Sequence, residues 1–148
     1  MGAALVDTEL EVTDNDLTAM AVDKGMMTLV DEAKQAELLT YLQSHQIQAS
    51  RASGGSAGNT IIASSYFGGK CFFSGKVADD ENGHFYMQDM HAAGVDIPSA
   101  AAEPGITGKC LILITPDAER SMNTFMGISA ELSVREIDPL AIADSQYL

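Results

Sequence analysis

Gly54-Gly55-Ser56-Ala57-Gly58-Asn59-Thr60-Ile61-Ile62-Ala63 is the stretch from which the rest of this chain can be understood. Glycine permits positive φ and lets a ligand come close to the backbone. A helix that begins straight after such a turn leaves its first N–H groups without intrahelical partners. The turn therefore suits a small polar ligand. By composition alone Ser50–Gly58 also suits a flexible Ser/Gly linker, but Asn59-Thr60 and the apolar residues behind them favour a structured turn into a helix over Asn59–Phe67. Gly54-Gly55-Ser56-Ala57-Gly58 also matches the Gly-x-Ser-x-Gly nucleophile elbow. A serine hydrolase would then need a later histidine, and only His84 and His91 follow. Both fall soon after the elbow on a polar helix, where a solvated face explains them better.

Outward from the turn, strands and helices alternate. The segment Ile47–Ser53 is a predicted strand, Gly68-Gly69 closes the first helix, and Cys71–Ser74 is a buried strand. Asp79 or Asp80 caps a helix that runs to about Ala93 and stops at Gly94. Before the turn, Asp31 caps a helix to Ser44 whose apolar face is Leu38, Leu39 and Leu42. Alternation of this kind means βαβ units and a largely parallel sheet with helices outside, so the fold class is α/β. Met1–Asp7 reads as the end of a strand, Leu10–Thr13 as a second short strand and Met26–Val30 as another. Asp14–Lys24 is polar with one helical turn. Lys109–Thr115 and Ser121–Phe125 flank Pro116-Asp117-Ala118-Glu119, a hairpin signal. The short strands near Leu10, Met26, Leu111 and Met122 break the alternation and form a small β lid. Ala100–Pro104 is a weakly structured loop, Asp138–Ser145 a last helix, and Tyr147-Leu148 opens a strand.

Composition sets outer limits. With 148 residues and 46% hydrophobic content the chain can bury one ordinary core. A net charge of −13, from 8 Lys plus Arg against 21 Asp plus Glu, argues against nucleic acid and anionic membranes as partners. No apolar run spans a bilayer and no signal peptide opens the chain, so a cytoplasmic location is expected. Cys71 and Cys110 sit in strand-like apolar settings, as buried free thiols do. His84, His91, Asp79, Asp80, Glu81 and Asp89 do not make one ligand set at helical spacing, so no metal site is expected. Asp7, at the end of an apolar strand, is placed where carboxylates of α/β proteins meet ligands. Arg120 can pair with Asp117 and Glu119 or hold a ligand anion.

Seven segments occur in order: Ala4-Leu5-Val6-Asp7, Gly54–Thr60, Phe67-Gly68-Gly69, Gly75–Gly83, Ala93-Gly94-Val95, Thr107-Gly108-Lys109-Cys110 and Asp117–Arg120. Together they resemble the amino-terminal half of the PfkB-type (ribokinase-like) carbohydrate kinases, closest to the adenosine-kinase-like branch, over nearly the whole chain. The resemblance implies a partial parallel-sheet core, approximately residues 1–8, 31–100 and 127–148. It also implies lid strands at approximately residues 9–13, 25–30, 109–115 and 120–126. It further implies a sugar or nucleoside as phosphoryl acceptor. Asp7 and Asn59 would bind its hydroxyls, aided by Gly54 and Gly55. Thr28, Val30, Met122 and Thr124 would cover it, and Arg120 would approach the transferred phosphate. Gly75–Gly83 is read as chiefly structural, a turn and a helix cap.

ATP and Mg2+ are implied as cofactors of the intact protein, with none bound by this chain alone. The family's catalytic base and ATP site lie in a carboxyl-terminal half with a Gly-Ala-Gly-Asp type motif, and nothing of that kind occurs between Leu132 and Leu148. Ala3 stands where the family commonly has a ligand-binding Asn. No catalytic residue is therefore expected within this chain, which alone should transfer no phosphate. It should also be only marginally stable or self-associate, through an unpaired sheet edge at Tyr147-Leu148. The competing expectation is a stand-alone sugar- or nucleoside-binding module.

Overall fold

Most helices in this chain start where a short polar side chain accepts a backbone N–H. The computed structural model describes residues 1–97 and 103–147. In chain order the elements are β1 (Leu5–Glu11), α1 (Asp14–Ala19), β2 (Met27–Leu29), α2 (Glu32–Ser44), β3 (Ala49–Gly54) and α3 (Ser56–Tyr66). They continue with β4 (Cys71–Phe72), α4 (Glu81–Ala92), β5 (Val95–Asp96), β6 (Gly108–Ile114), β7 (Arg120–Phe125) and α5 (Pro139–Asp144). Thr13 caps α1 in a capping box with Asp16, and Asp31 accepts from the Lys34 N–H at 2.8 Å to cap α2. Asp80 accepts from Gly83 at 2.7 Å and Asp138 from Leu140 at 2.8 Å, capping α4 and α5. Each such cap is worth about 1 kcal/mol.

Most expected elements are present, and the differences have local causes. β1 is unbroken from Leu5 to Glu11, so the two short strands expected at Met1–Asp7 and Leu10–Thr13 are one, and Asp7 stands within it rather than at its carboxyl end. α3 begins at Ser56, three residues before the expected start at Asn59, because Gly55 at φ 83 already turns the chain into it. The strand β5 and the 3-10 turns at Gly127–Glu131 and Val134–Glu136 have no forerunner in the sequence reading. The loop expected over Ala100–Pro104 lies mostly outside the described residues, as does Leu148. Tyr147 carries no strand.

The chain divides into two compact units. The first consists of Met1–Val6, Ser53–Gly108 and Gly127–Leu148. Its core gathers Ala4, Val6, Cys71, Phe73, Tyr86, Met90 and Val95. β4 and β5 pair in parallel there, with Cys71 opposite Val95, and Gly68 (φ 88) ends α3 with its N–H donating to the Ser65 carbonyl. Asp80 does more than cap α4, since its carboxylate also accepts from the Thr107 N–H at 2.9 Å and the Thr107 hydroxyl at 2.6 Å. Lys76 is buried with its ammonium 2.9 Å from Glu103 and 3.6 Å from Glu136. The Gly75–Gly83 segment thus carries a helix cap and a buried ion pair.

The second unit consists of Asp7–Ala52 and Lys109–Met126. It carries a five-stranded sheet in the order β2-β7-β6-β1-β3. β6 and β7 are the expected hairpin, antiparallel with Ile114 opposite Arg120, while β2 joins β7 in parallel. One face is packed by helices. Leu10, Val12, Leu111 and Leu113 from the strands meet Leu17 of α1 and Leu38 and Leu42 of α2.

Two predictions arise in the hairpin turn. Ala118 sits at φ 65, a left-handed conformation that a Cβ disfavours, and its N–H donates to the Thr115 carbonyl at 2.8 Å. Ala118→Gly is therefore expected to stabilise the chain by about 1 kcal/mol, measured as a higher urea midpoint at unchanged slope. The neighbouring Asp117 does not pair with Arg120. It is 2.7 Å from Lys24, which also holds Asp14 at 2.7 Å. Hydrogen bonds from Lys24 and then Thr115 pull the Asp117 carboxyl down to about 2 from the ordinary 3.8. A depressed carboxylate contributes stability above its unfolded pKa and loses it as pH falls through the folded value, so the turn should loosen between pH 3.8 and about 2. An NMR titration of the Asp117 carboxyl should give the low midpoint, and Lys24→Ala should raise it.

Candidate functional site

Two parts of the chain hold the expected site residues, one in each unit. In the second unit, the sheet face opposite α1 and α2 is defined by alternation along the strands. Leu10 of β1, and Val12 just beyond it, belong to the helix-covered core, so Asp7 and Glu9 point to the other face. On β6, Leu111 and Leu113 face the helices, leaving Cys110 and Ile112 on the same face as Asp7 and Glu9. The hairpin register sets Thr124 opposite Cys110, Met122 opposite Ile112 and Arg120 opposite Ile114. Asp7, Arg120, Met122 and Thr124 therefore share one face of the sheet.

The electrostatics of this face centre on Asp7. Burial pushes its carboxyl above the usual range, the Arg120 guanidinium pulls the other way, and the Glu9 charge adds to the rise. Arg120 reaches Glu9 at 3.5 Å, not Asp117 or Glu119, and about half of its side chain stays exposed. It remains available to a ligand anion. The Thr124 hydroxyl donates to the Cys110 sulfur at 3.2 Å, and burial raises the Cys110 thiol above its ordinary value. A half-buried carboxylate beside a guanidinium can accept hydrogen bonds from a pair of neighbouring hydroxyls while the cation meets a negative group.

The β2 residues divide between the two faces of the sheet. In the parallel register Met27 lies opposite Met122, Thr28 opposite Asn123 and Leu29 opposite Thr124. Asn123 in turn lies opposite Leu111, which is on the helix-covered face. Thr28 therefore stands on the helix side of the sheet, and Val30, two residues on, follows its alternation. Met27 and Leu29 share the face of Met122 and Thr124. They are 57% and 65% exposed, unusual for large apolar side chains in a strand. The sequence had no signal to separate these registers, because Met27-Thr28-Leu29-Val30 has no clean polar and apolar alternation. Glu9, two residues beyond Asp7, lies on the same face as Asp7.

In the first unit, the glycine turn ends in Gly55, which serves as the N-cap of α3 at φ 83 and ψ 142. No side chain caps this helix, so its first N–H groups are left to backbone or ligand. A Cβ on Gly55 would lie 2.7 Å from the Ala3 carbonyl oxygen, and one on Gly58 would lie 2.8 Å from the Tyr86 hydroxyl. Gly54 is buried and Asn59 exposed, with the Asn59 N–H donating to the Gly55 carbonyl at 2.9 Å. Ser56 is the first residue of α3. His84 pairs with Asp79 at 3.0 Å on the exposed side of α4, and His91 is exposed in its last turn. Cys71 and Cys110 are buried free thiols. Among the described residues no group of three His, Cys, Asp or Glu side chains is arranged to hold a metal ion, and no helix is long and apolar enough to cross a membrane.

A model of the pfkB family carbohydrate kinases matches residues 17–148. The fold superposes on adenosine kinase from Sinorhizobium meliloti with a TM-score of 0.84 and 35% identity, over 98% of this chain and 43% of that one. Aminoimidazole riboside kinase of Salmonella typhimurium is 30% identical over 89 residues, 58% of this chain and 28% of the relative. ATP-dependent ribose-1-phosphate kinase of Halopiger xanaduensis is 26% identical over 133 residues, 89% of this chain and 44% of the relative. The chain thus spans less than half the length of each of these proteins. Its α/β architecture is the ribokinase-like one.

Proposed function

The chain belongs to the pfkB family of carbohydrate kinases, and on that basis we propose that it carries the acceptor-binding face of an ATP-dependent kinase that phosphorylates a hydroxyl of a sugar or nucleoside. The observation that supports this most is the convergence of Asp7, Arg120, Met122 and Thr124 on the sheet face that no helix of their own unit covers. Asp7 accepts hydrogen bonds from vicinal hydroxyls, and Asn59, Gly54 and Gly55 are assigned to the acceptor as the sequence resemblance implied. Met122 and Thr124 cover the acceptor. The sheet register favours Met27 and Leu29 over Thr28 and Val30 as their partners from β2.

Family membership implies ATP and Mg2+ in intact members. When bound, ATP supplies the phosphoryl group. The exposed guanidinium of Arg120 is suited to the negative charge of that group, since phosphoryl transfer depends chiefly on positioning and on charge stabilisation. Water exclusion by the apolar lid residues would strengthen both interactions.

Isothermal titration of the chain with adenosine, ribose and fructose tests the reading, with ATP-dependent phosphorylation of each followed in parallel. Saturable binding of at least one acceptor, lost on changing Asp7, supports it. Labelling of Ser56 by a fluorophosphonate probe with no acceptor binding would overturn it in favour of a hydrolase.

A further inference from the structure

Behind the proposed acceptor face, one buried side chain bridges the two strands that carry it. Gln35 on α2 is fully buried, and its amide N–H groups donate to the Asn123 carbonyl of β7 at 2.9 Å and the Lys109 carbonyl of β6 at 3.3 Å. The geometry of the strands says where that bridge lies. The Met122 N–H donates to Met26 and the Thr124 carbonyl accepts from Val30, so the peptide groups of Met122 and Thr124 point toward β2. Those of Asn123 then point to β6, which makes Asn123 and Leu111 a hydrogen-bonded pair and Thr124 and Cys110 a non-hydrogen-bonded one. Asn123 and Lys109 flank that second pair. The Gln35 amide therefore spans the seam behind Thr124 and Cys110, at a point where the backbone ladder itself makes no bond.

On the opposite face the same pair is tied only by the Thr124 hydroxyl to the Cys110 sulfur. The amide oxygen of Gln35 is buried with no hydrogen-bond partner. An apolar side chain of similar length would fill the space without burying that oxygen. What the carboxamide adds is its donors.

We infer that Gln35 is a positioning residue: by clamping β6 to β7 from the helix side it fixes Thr124, and with it Met122, on the acceptor face. The clamp stands on the seam geometry alone; its consequence for the acceptor rests on the function proposed above.

The test compares wild-type chain with Gln35→Met, which keeps length and removes both donors. Iodoacetamide labelling of the native protein is read by peptide mass spectrometry, with Cys71, a buried thiol of the other unit, as internal reference. Loss of the clamp should raise the labelling rate of Cys110 relative to Cys71 about tenfold, the weight of one to two net hydrogen bonds. General loosening would raise both rates together and overturn the inference, as would an unchanged ratio. If Gln35→Met does not fold, Gln35→Leu also removes both donors with a smaller apolar side chain and is read in the same way. Acceptor titration forms the second arm, with affinity expected to fall about fivefold in the variant. Cys110 freed with acceptor affinity intact overturns the positioning role. A wild-type chain that binds no acceptor sinks the proposed function alone, and the labelling ratio still decides the clamp.

Discussion

Gly55→Ala is expected to destabilise the chain by about 3–5 kcal/mol, whereas Gly68→Ala should cost only about 1–2 kcal/mol. Both glycines have positive φ, 83 and 88, so both substitutions strain the backbone. Only at Gly55 does the new methyl group also meet a fixed atom, the Ala3 carbonyl oxygen at 2.7 Å, while a Cβ on Gly68 meets nothing within 4 Å. Backbone cannot swing aside as a long side chain can, and the φ and ψ of Gly55 lie in a region that is nearly glycine-only. Against a typical domain stability of about 5–15 kcal/mol, the larger loss removes much of the fold. Urea unfolding of the two variants beside wild type measures the difference. Equal losses at the two positions would show that the turn is not held against Ala3 as tightly as this.

Asp7→Asn is expected to weaken acceptor binding about tenfold to a hundredfold and, in the same molecule, to raise thermal stability. The first effect follows from losing a charged acceptor for buried hydroxyls, worth about 1–3 kcal/mol. The second follows from the direction of the Asp7 shift. Burial is its leading cause and holds the carboxyl above its ordinary 3.8, against the pull of Arg120. A carboxyl raised on folding favours the folded state most below its unfolded pKa, and that contribution is lost as pH rises through the folded value. Once that carboxyl is ionised, the free protein carries a charge that it would fold better without. On the proposed function, a residue that costs stability in the free protein and binds the acceptor has a functional reason for its place. Calorimetric melts at pH 7 and pH 4 should show the gain from Asp7→Asn shrinking at the lower pH. A variant that melts lower at pH 7 and binds the acceptor as wild type does would remove Asp7 from the site.

Several features were legible because they depend on residues three or four apart in the chain. Asp31 and Asp80 cap their helices through bonds to the third residue on, and Gly68 and Gly94 end theirs at positive φ. Leu38 and Leu42, one turn apart, form the buried stripe of α2. The Pro116–Glu119 turn closes β6 onto β7, and its short connection leaves the register little freedom. The order of strands and helices carried the α/β class for the same reason.

Tertiary structure decided the matters that turn on pairings between distant segments. Nothing near β2 states which β7 residue each of its three residues will face, and a slip of one reverses every side chain; the folded sheet puts Met27 and Leu29, and not Thr28, on the face of Met122 and Thr124. Arg120 has acids beside it in sequence, yet it reaches Glu9 because β1 lies near the hairpin in the sheet, and Asp117 is taken by Lys24 from a separate loop. Gln35 looks in sequence like any polar residue on a helix. It is buried because α2 lies across the seam of two strands more than 70 positions away, whose carbonyls only the folded sheet brings together.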